Sequence, residues 1–173
     1  GVTWNRIQQQ PPKRVFQVTL VSDNGATIEC INGLNISAQM SFNQLMQHID
    51  PTTSNSSPIG ISEAALKAHN NIIIVPTIAG PIETVLEQSE SLVQVLKRAH
   101  AAGWTIAGNC TGNFLLAQAG ILDHKIATTH WGFESQFRQY FPKVNLQAQQ
   151  LITRDENIYC AGGGITWLDL GLH

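Results

Sequence analysis

The apolar positions of the first seventy residues fall into short groups separated by polar stretches. Apolar and polar residues alternate from Val15 to Val21, and this period of two predicts a strand. The turn signal Asp23-Asn24-Gly25 follows, and the chain is expected to return as a second strand. The elements predicted in this part are strands over Val15–Val21 and Thr27–Ile31 and helices over Phe42–Ile49 and Glu63–His69.

From residue 72 onward the apolar groups become longer and more regular. Ile72-Ile73-Ile74-Val75 is a continuous β-branched run, typical of a strand buried on both faces. Apolar residues between Thr84 and His100 repeat with the 3.6-residue period of a helix, which Gly103 ends. Further strands are predicted over Thr105–Ala107, Ile126–Thr129, Leu151–Thr153 and Ile158–Ala161, and further helices over Asn113–Ala119, over Trp131–Tyr140 and from Ile165.

This alternation of strands and helices indicates βαβ units and a mainly parallel sheet with helices on both faces. We expect Ile72–Val75, Thr105–Gly108 and Val15–Val21 to be parallel neighbours in that sheet. Ligands bind at the carboxyl ends of such strands. The loops that follow the first two of these strands, and the loop after Ala161, are therefore the places where chemistry is expected.

Cys110 stands at the junction between one of these strands and the next helix, with Gly108 and Gly112 on either side. Small neighbours permit the tight, strained turn of a nucleophile elbow, which presents one side chain at an accessible corner. The N-terminus of the following helix favours a thiolate there. The alternative is a buried cysteine that serves as a small apolar residue. Cys30 and Cys160 lie in strand patterns and are expected in the core.

His130 follows the next short strand, and Gly162-Gly163-Gly164 follows the last one. Successive strand ends can bring a cysteine and a histidine within reach, as a base or ion-pair partner requires. The alternative is a histidine that satisfies backbone groups beside Trp131. The glycine run lacks the Lys-Ser/Thr of a phosphate loop and is interpreted as a tight turn into the last helix. Asp169 on that helix is interpreted as a surface or capping residue.

The composition narrows the class of protein. The 173 residues carry a net charge of −2, and their ten Lys and Arg form no basic stripe, so DNA binding by this chain itself is not expected. No apolar run approaches the ~18 residues of a membrane span. The three cysteines have neither a CxxC pair nor the spacing of a metal site. We predict a cytoplasmic domain that binds no membrane, no metal and no cofactor.

Several of these segments together resemble the ThiJ/PfpI family of the class I glutamine amidotransferase-like superfamily. The resemblance runs from Val15 to His173 and rests on the strings Cys110-Thr111-Gly112, Ala119-Gly120-Ile121-Leu122-Asp123 and Ala127-Thr128-Thr129-His130-Trp131. It implies a flavodoxin-like α/β fold, a three-layer sandwich with a mainly parallel sheet, formed by residues 1–173 as one domain. It also implies that Cys110 and His130 are a catalytic pair, or a vestige of one that binds ligand.

Two branches of the family share these strings: enzymes similar to isocyanide hydratase, and N-terminal sensor domains of AraC-type transcriptional regulators. The segment Phe137-Arg138-Gln139-Tyr140-Phe141-Pro142-Lys143-Val144 resembles the regulators. The regulator branch implies a small nitrogen-containing or carbonyl ligand and a homodimer. It also implies DNA binding only through a C-terminal helix-turn-helix domain outside this chain, which is then a fragment of a longer protein. The alternatives are a cysteine-dependent hydratase or hydrolase and a sensor that works by oxidation of Cys110.

The sequence departs from the family at two places. The loop that normally reads Pro-Gly-Gly is Pro76-Thr77-Ile78-Ala79-Gly80, which removes the close backbone approach that supplies one oxyanion donor. The carboxylic acid that the enzymes carry after their first strand is expected upstream of residue 1. We therefore expect ligand binding with little turnover. The predicted ligand-binding residues, besides Cys110 and His130, are Pro76, Thr77, Ile78, Gly80, Thr111, Gly162 and Gly163.

Overall fold

The structure is a computed structural model that describes residues 17–30, 33–49 and 71–172. These residues fall into two units, 1–43 and 44–173. The predicted helix over Glu63–His69 lies outside the described residues, as do the first two residues of the predicted strand over Val15–Val21.

Two pairs of two-residue strands form the described part of the first unit. The pairs are β1 (Val21–Ser22) parallel to β4 (Met40–Ser41), and β2 (Ile28–Glu29) antiparallel to β3 (Asn35–Ile36). The predicted turn at Asp23-Asn24-Gly25 is present, since Asn24 Oδ1 accepts the Ala26 N–H at 2.8 Å and Gly25 has φ +78°. The helix predicted to follow is confirmed as α1 (Phe42–Ile49).

The predicted pairing of the first strand is wrong. Within the described ranges, β1 lies beside β4 and not beside Ile72–Val75 or Thr105–Gly108. The backbone of Leu20 explains this pairing, because its N–H donates to the Gln39 side chain (2.5 Å) and its C=O accepts the Gln39 N–H (2.8 Å). These two bonds align the residues that follow Leu20 with those that follow Gln39.

A four-stranded sheet forms the centre of the second unit. Its strands lie in the order β5 (Ile72–Val75), β6 (Thr105–Asn109), β10 (Ile158–Ala161) and β9 (Ile152–Asp155). The first three are parallel, and β9 is antiparallel to β10. The mainly parallel sheet of a flavodoxin-like α/β fold is therefore confirmed. Because β5, β6 and β10 run in the same direction, their carboxyl ends meet at one edge of the sheet.

The prediction that β5 is buried on both faces is wrong for the described structure. Ile72 is 54% exposed and Ile74 is 66% exposed, whereas Val75 is 3% exposed. β5 is the terminal strand of the described sheet order, and alternate residues of a strand point to opposite faces. Ile72 and Ile74 therefore share the exposed face of an edge strand.

Two helices, α2 (Ile82–Gln88) and α3 (Glu90–Ala101), replace the single helix predicted over Thr84–His100. The break lies at Ser89, whose backbone is not helical (φ −103°, ψ 20°) and whose hydroxyl donates to the Val85 C=O at 2.6 Å. Gly103 ends α3 as predicted, with φ +79°. The Trp104 N–H then closes the helix end by donating to the Ala99 C=O at 3.0 Å.

The remaining elements are the predicted ones, with shorter bounds, and one strand that was not predicted. They are α4 (Asn113–Gln118), β7 (Ile126–Ala127), α5 (Glu134–Tyr140), β8 (Asn145–Leu146) and α6 (Thr166–Leu170). β8, which was not predicted, runs parallel to β7. Phe114 and Phe137 are fully buried against each other, with ring centroids 4.8 Å apart, so α4 and α5 share one core. Among the described helices, none is long and apolar enough to span a bilayer.

Candidate functional site

Cys110 occupies a strained corner between β6 and α4. Its φ is +56°, a left-handed conformation that a non-glycine residue adopts at a cost of about 1–2 kcal/mol. Cys110–Gly112 forms a short 3₁₀ turn between the strand and the helix. The tight strand-to-helix turn predicted from the sequence is thus present. The residue is only 9% exposed, however, so the corner is more enclosed than expected.

The two glycines beside this corner are required by packing. A Cβ on Gly112 would lie 2.3 Å from the Pro76 carbonyl oxygen, although the φ of −60° suits any residue. A Cβ on Gly108 would lie 2.0 Å from Asn113 Oδ1. Gly112 therefore lets the elbow touch the end of β5 directly, and Gly108 makes room for a polar side chain of α4.

The residues on either side of Cys110 bind the turn that follows β5. The Thr111 hydroxyl accepts the Ile78 N–H at 3.2 Å and donates to the Ile78 C=O at 2.9 Å. The Asn109 amide donates to the Thr77 hydroxyl at 3.1 Å. Three of the predicted site residues, Thr77, Ile78 and Thr111, are thereby joined beside the cysteine.

His130 and the glycine turn after β10 approach the same cysteine. A Cβ on Gly163 would lie 3.0 Å from Cys110 Sγ and 3.0 Å from His130 Cδ2, so both side chains flank the same point. Gly163 has φ +105°, which an L side chain rarely adopts. Thr129, which precedes the histidine, donates its hydroxyl to the Cys110 C=O at 3.1 Å.

The His130 ring is oriented by its own backbone turn. Its Nδ1 accepts the Gly132 N–H at 3.1 Å, and its ring stacks on Trp131 at 5.3 Å between centroids. In a neutral imidazole one nitrogen donates and the other accepts. The Gly132 bond therefore places the ring proton of neutral His130 on Nε2. His130 thus satisfies a backbone group, and its ring also lies near the Cys110 sulfur, while its role as a base or ion-pair partner stays a prediction.

Asn113 is a site residue that sequence reasoning missed. It is fully buried, and its amide nitrogen donates to the Thr128 C=O and to the Ala161 C=O, both at 3.0 Å. These carbonyls belong to the segments that lead to His130 and to Gly162-Gly163. Asn113 thus ties the elbow helix to both neighbouring loops. A polar residue that opens an otherwise apolar helix, Phe114–Ala117, was the available signal.

Not every predicted ligand-binding residue lies next to Cys110. Gly80 is exposed with φ +99°, and its nearest side-chain neighbour is Val85. Gly162 borders the carbonyls of Gln150, Thr129 and Leu151. A separate shallow cleft is lined by Gln150, Leu151, Ile152, Asp169 and Leu172. The predicted cluster around Cys110 therefore consists of the turn after β5, His130 and Gly163, with Gly80 at its periphery.

A hydrogen-bonded cluster of side chains links α2 to α5. The Glu83 carboxylate accepts hydrogen bonds from the Tyr140 hydroxyl and from the Gln136 amide. The Tyr140 bond lowers the pKa of Glu83 below its usual value and raises that of Tyr140. These helices begin after the two loops that flank Cys110. Within residues 17–30, 33–49 and 71–172, no three His, Cys, Asp or Glu side chains converge as a metal site would require.

The other two cysteines differ in their surroundings. Cys160 is buried in β10, where loss of solvation raises the pKa of its thiol to about 12. Its predicted place in the core is confirmed. Cys30 is half-buried and follows β2 without belonging to a strand, so its predicted place in a core strand is wrong.

The sequence of this chain matches a known protein family. Residues 2–172 match the family model of the DJ-1/PfpI family, and the chain belongs to that family.

Relatives of known kind include both branches that the sequence suggested. The chain is 32% identical over 111 residues to the HTH-type transcriptional regulator CdhR of Pseudomonas aeruginosa, covering 64% of this chain and 32% of the regulator. It is 29% identical over 103 residues to an isonitrile hydratase of Pseudomonas putida, covering 59% of this chain and 42% of that protein. The chain thus spans less than half the length of either relative.

Solved structures have the same fold. An AraC family transcriptional regulator from Pseudomonas putida superposes with a TM-score of 0.65 at 22% identity, over 99% of this chain and 77% of that one. At this identity the likeness establishes the fold alone.

Proposed function

We propose that this chain is the ligand-sensing and dimerisation domain of a cytoplasmic AraC-type transcriptional regulator. In this proposal it binds a small metabolite at the Cys110 elbow and controls a DNA-binding domain outside the chain. The relationship to CdhR supports the regulator assignment. The resemblance of residues 137–144 to the F-R-x-x-F-P-x-V segment of the regulators supports it as well. In this segment Phe137 is fully buried and Arg138 donates to the Leu146 C=O at 2.9 Å.

The observation that carries the proposal is the convergence of three loops on an enclosed cysteine. Cys110, His130 and Gly163 meet at the carboxyl ends of parallel strands, where α/β proteins bind small ligands. The site offers a thiol, an imidazole with its Nε2 proton, and the exposed face of Trp131, which is 76% exposed. A nitrogen-containing or carbonyl metabolite can form hydrogen bonds with such groups. Pro76, Thr77, Ile78, Gly80, Thr111, Gly162 and Gly163 are the proposed lining.

Turnover at this site is expected to be slow. A cysteine nucleophile needs a lowered pKa, a group that moves protons, and donors for the developing oxyanion. His130 can supply the second requirement. For the third, glycines of the usual Pro-Gly-Gly loop are replaced at Thr77 and Ile78. One missing donor costs ~10²–10³ in rate.

The second candidate function is a cysteine-dependent hydratase or hydrolase of the isocyanide hydratase type. The strained Cys110 backbone favours it, since a positive φ at an elbow residue is typical of nucleophiles in this kind of turn.

A steady-state assay of the full-length protein separates the two functions. Isocyanides, small amides and α-oxoaldehydes are offered as substrates, with Cys110→Ala as the control. Binding seen as a rise in melting temperature, without turnover, is the result expected of a sensor. Turnover above roughly 1 s⁻¹ that the control abolishes would establish the enzyme instead.

The dimer is tested separately. Regulators that read paired DNA half-sites match them with a two-fold symmetric protein. Light scattering at high micromolar concentration is expected to give the mass of two chains, and a monomer at that concentration would contradict the dimerisation role.

A further inference from the structure

Thr111 makes an unusual pair of contacts with one residue of the neighbouring turn. Its hydroxyl accepts the Ile78 N–H (3.2 Å) and donates to the Ile78 C=O (2.9 Å), while the residue is only 3% exposed. A single hydroxyl therefore satisfies both polar backbone groups of Ile78. Backbone groups that are partly shielded from water require partners, and here one side chain supplies both.

The rest of the turn is held from the same direction. Asn109 binds Thr77 at 3.1 Å, and the Pro76 carbonyl oxygen would lie 2.3 Å from a Cβ on Gly112. Consecutive residues of the turn are thus fixed by residues on both sides of Cys110. The turn cannot realign its amides without breaking these contacts.

This arrangement bears on the oxyanion chemistry of the site. A backbone N–H stabilises a developing oxyanion only when it is free and aimed at that oxygen. The Ile78 N–H already donates to a hydroxyl on the residue directly after the cysteine. The Thr111 hydroxyl oxygen thus takes up the hydrogen-bonding capacity of the Ile78 N–H.

We infer that Thr111 is the specificity-determining residue that keeps this site a binding site for carbonyl compounds and prevents acyl transfer to Cys110. The inference rests on the proposed function, and it specifies how turnover is suppressed there. Loss of the hydroxyl leaves the Ile78 N–H without this acceptor in a partly buried place. A carbonyl oxygen above Cys110 then becomes its acceptor as negative charge develops.

The test uses p-nitrophenyl acetate as an activated carbonyl compound. The Cys110 thiolate attacks the carbonyl carbon, a C–S bond forms, and the C–O bond to the leaving group breaks. p-Nitrophenolate departs with that electron pair, and the thiol proton has passed to solvent. The Cys110-dependent rate is the rate of nitrophenolate release by each variant minus that of the same variant carrying Cys110→Ala.

Thr111→Val is nearly isosteric and lacks the hydroxyl, and it is expected to acylate at least about 10-fold faster than the wild type, since a well-aligned donor is worth ~10²–10³. Thr111→Ser keeps the hydroxyl and is expected to remain far slower than Thr111→Val. The matched control is Thr153→Val, the same exchange at a threonine that is also 3% exposed but lies in β9, and no acceleration is expected there.

Alkylation by iodoacetamide distinguishes this role from a general loosening of the site. Alkylation develops no oxyanion, so Thr111→Val is expected to leave the alkylation rate of Cys110 within about twofold of the wild type while its acylation accelerates. Equal acceleration of both reactions would overturn the inference, and so would an unchanged acylation rate in a folded Thr111→Val protein.

If Thr111→Val does not fold, amide hydrogen exchange decides. In the wild type and in Thr111→Ser the Ile78 amide is expected to be protected as strongly as the amides of β6, and exchange at the rate of an exposed loop would overturn the inference. The proposed function fails by a different result. Fast wild-type turnover that Cys110→Ala abolishes contradicts the sensor, whereas equal acylation by wild type and Thr111→Val contradicts only the role of Thr111.

Discussion

Cys110 shows how several weak contacts can maintain one unfavourable backbone conformation. Its φ of +56° is compatible with glycine but strained for a residue with a Cβ. The Thr129 hydroxyl holds the Cys110 carbonyl at 3.1 Å, and Asn113 holds two neighbouring carbonyls at 3.0 Å. The strain therefore resides at Cys110, and the surrounding hydrogen bonds offset it.

Replacement of Cys110 by the two smallest residues measures this strain. We expect Cys110→Gly to be about 1 kcal/mol more stable than Cys110→Ala, because glycine adopts a positive φ without steric cost. Urea unfolding gives the two free energies. The control is the exposed helical residue Gln118, where Gly should be about 1 kcal/mol less stable than Ala. If the Gly variant were less stable than the Ala variant at both positions, the Cys110 backbone would not be held at positive φ.

Gly112 is required for a different reason, and this can be tested by adding one carbon. Gly112→Ala keeps an allowed φ of −60° but places a Cβ 2.3 Å from the Pro76 carbonyl oxygen. We expect a loss of about 1–3 kcal/mol in the free energy of urea unfolding, the usual cost of overpacking. Gly171→Ala is the matched control, since its Cβ would meet nothing closer than 3.4 Å. Equal effects of the two substitutions would contradict the contact between the elbow and the end of β5.

At the scale of elements, the sequence predicted the long and regular segments well. The apolar run of β5, the junction of β6 with α4, and the end of α3 at Gly103 were all visible in the sequence, because each depends on neighbours along the chain. The break at Ser89 was not visible, since the apolar period continues through it. The pairing of β1 depends on Gln39, and β8 has only two residues, so neither leaves a local pattern.

The site was predictable to a similar degree. Cys110 and its two glycines are adjacent in sequence, and His130 follows a short strand, so their approach could be expected from the topology. The hydrogen bonds between Thr111 and Ile78 join residues of different loops. The hydrogen bonds of Asn113 reach the carbonyls of Thr128 and Ala161, at the ends of two other strands. Such contacts depend on side-chain geometry, which no spacing along the chain encodes.

The segment that resembles the regulators connects α5 to β8 through Arg138. Its guanidinium donates to the Leu146 C=O at 2.9 Å and to Glu134 at 2.9 Å, one turn earlier in the helix. Arg138→Gln is expected to lower the free energy of unfolding by about 1 kcal/mol, because the carbonyl of a buried residue loses its donor. Glu134→Gln removes only the exposed ion pair and should cost at most about 0.5 kcal/mol. If both substitutions lower the free energy of urea unfolding equally, the hydrogen bond from Arg138 to the Leu146 C=O contributes nothing to stability.

At the scale of the whole molecule, stability should depend on pH through two histidines. Burial lowers the pKa of His48 and of His100 below the ordinary value of 6.5. A histidine with a lowered folded pKa binds fewer protons in the folded state than in the unfolded state. Its contribution to stability is therefore complete above pH 6.5 and is lost as the pH falls toward the folded value.

His100 provides the sharper test of this dependence. Its Nε2 is buried without a hydrogen-bond partner in the described structure. Burial and the Lys125 ammonium lower the pKa of His100, and Glu156 opposes them. Protonation thus places a second positive charge near Lys125 in a poorly solvated place. We expect the free energy of urea unfolding to fall as the pH drops below about 6.5, and to fall less steeply in His100→Gln. His48 still titrates in that variant, so the slope should shrink but persist. Parallel curves for the two proteins would mean that His100 is as readily protonated in the fold as in the unfolded chain.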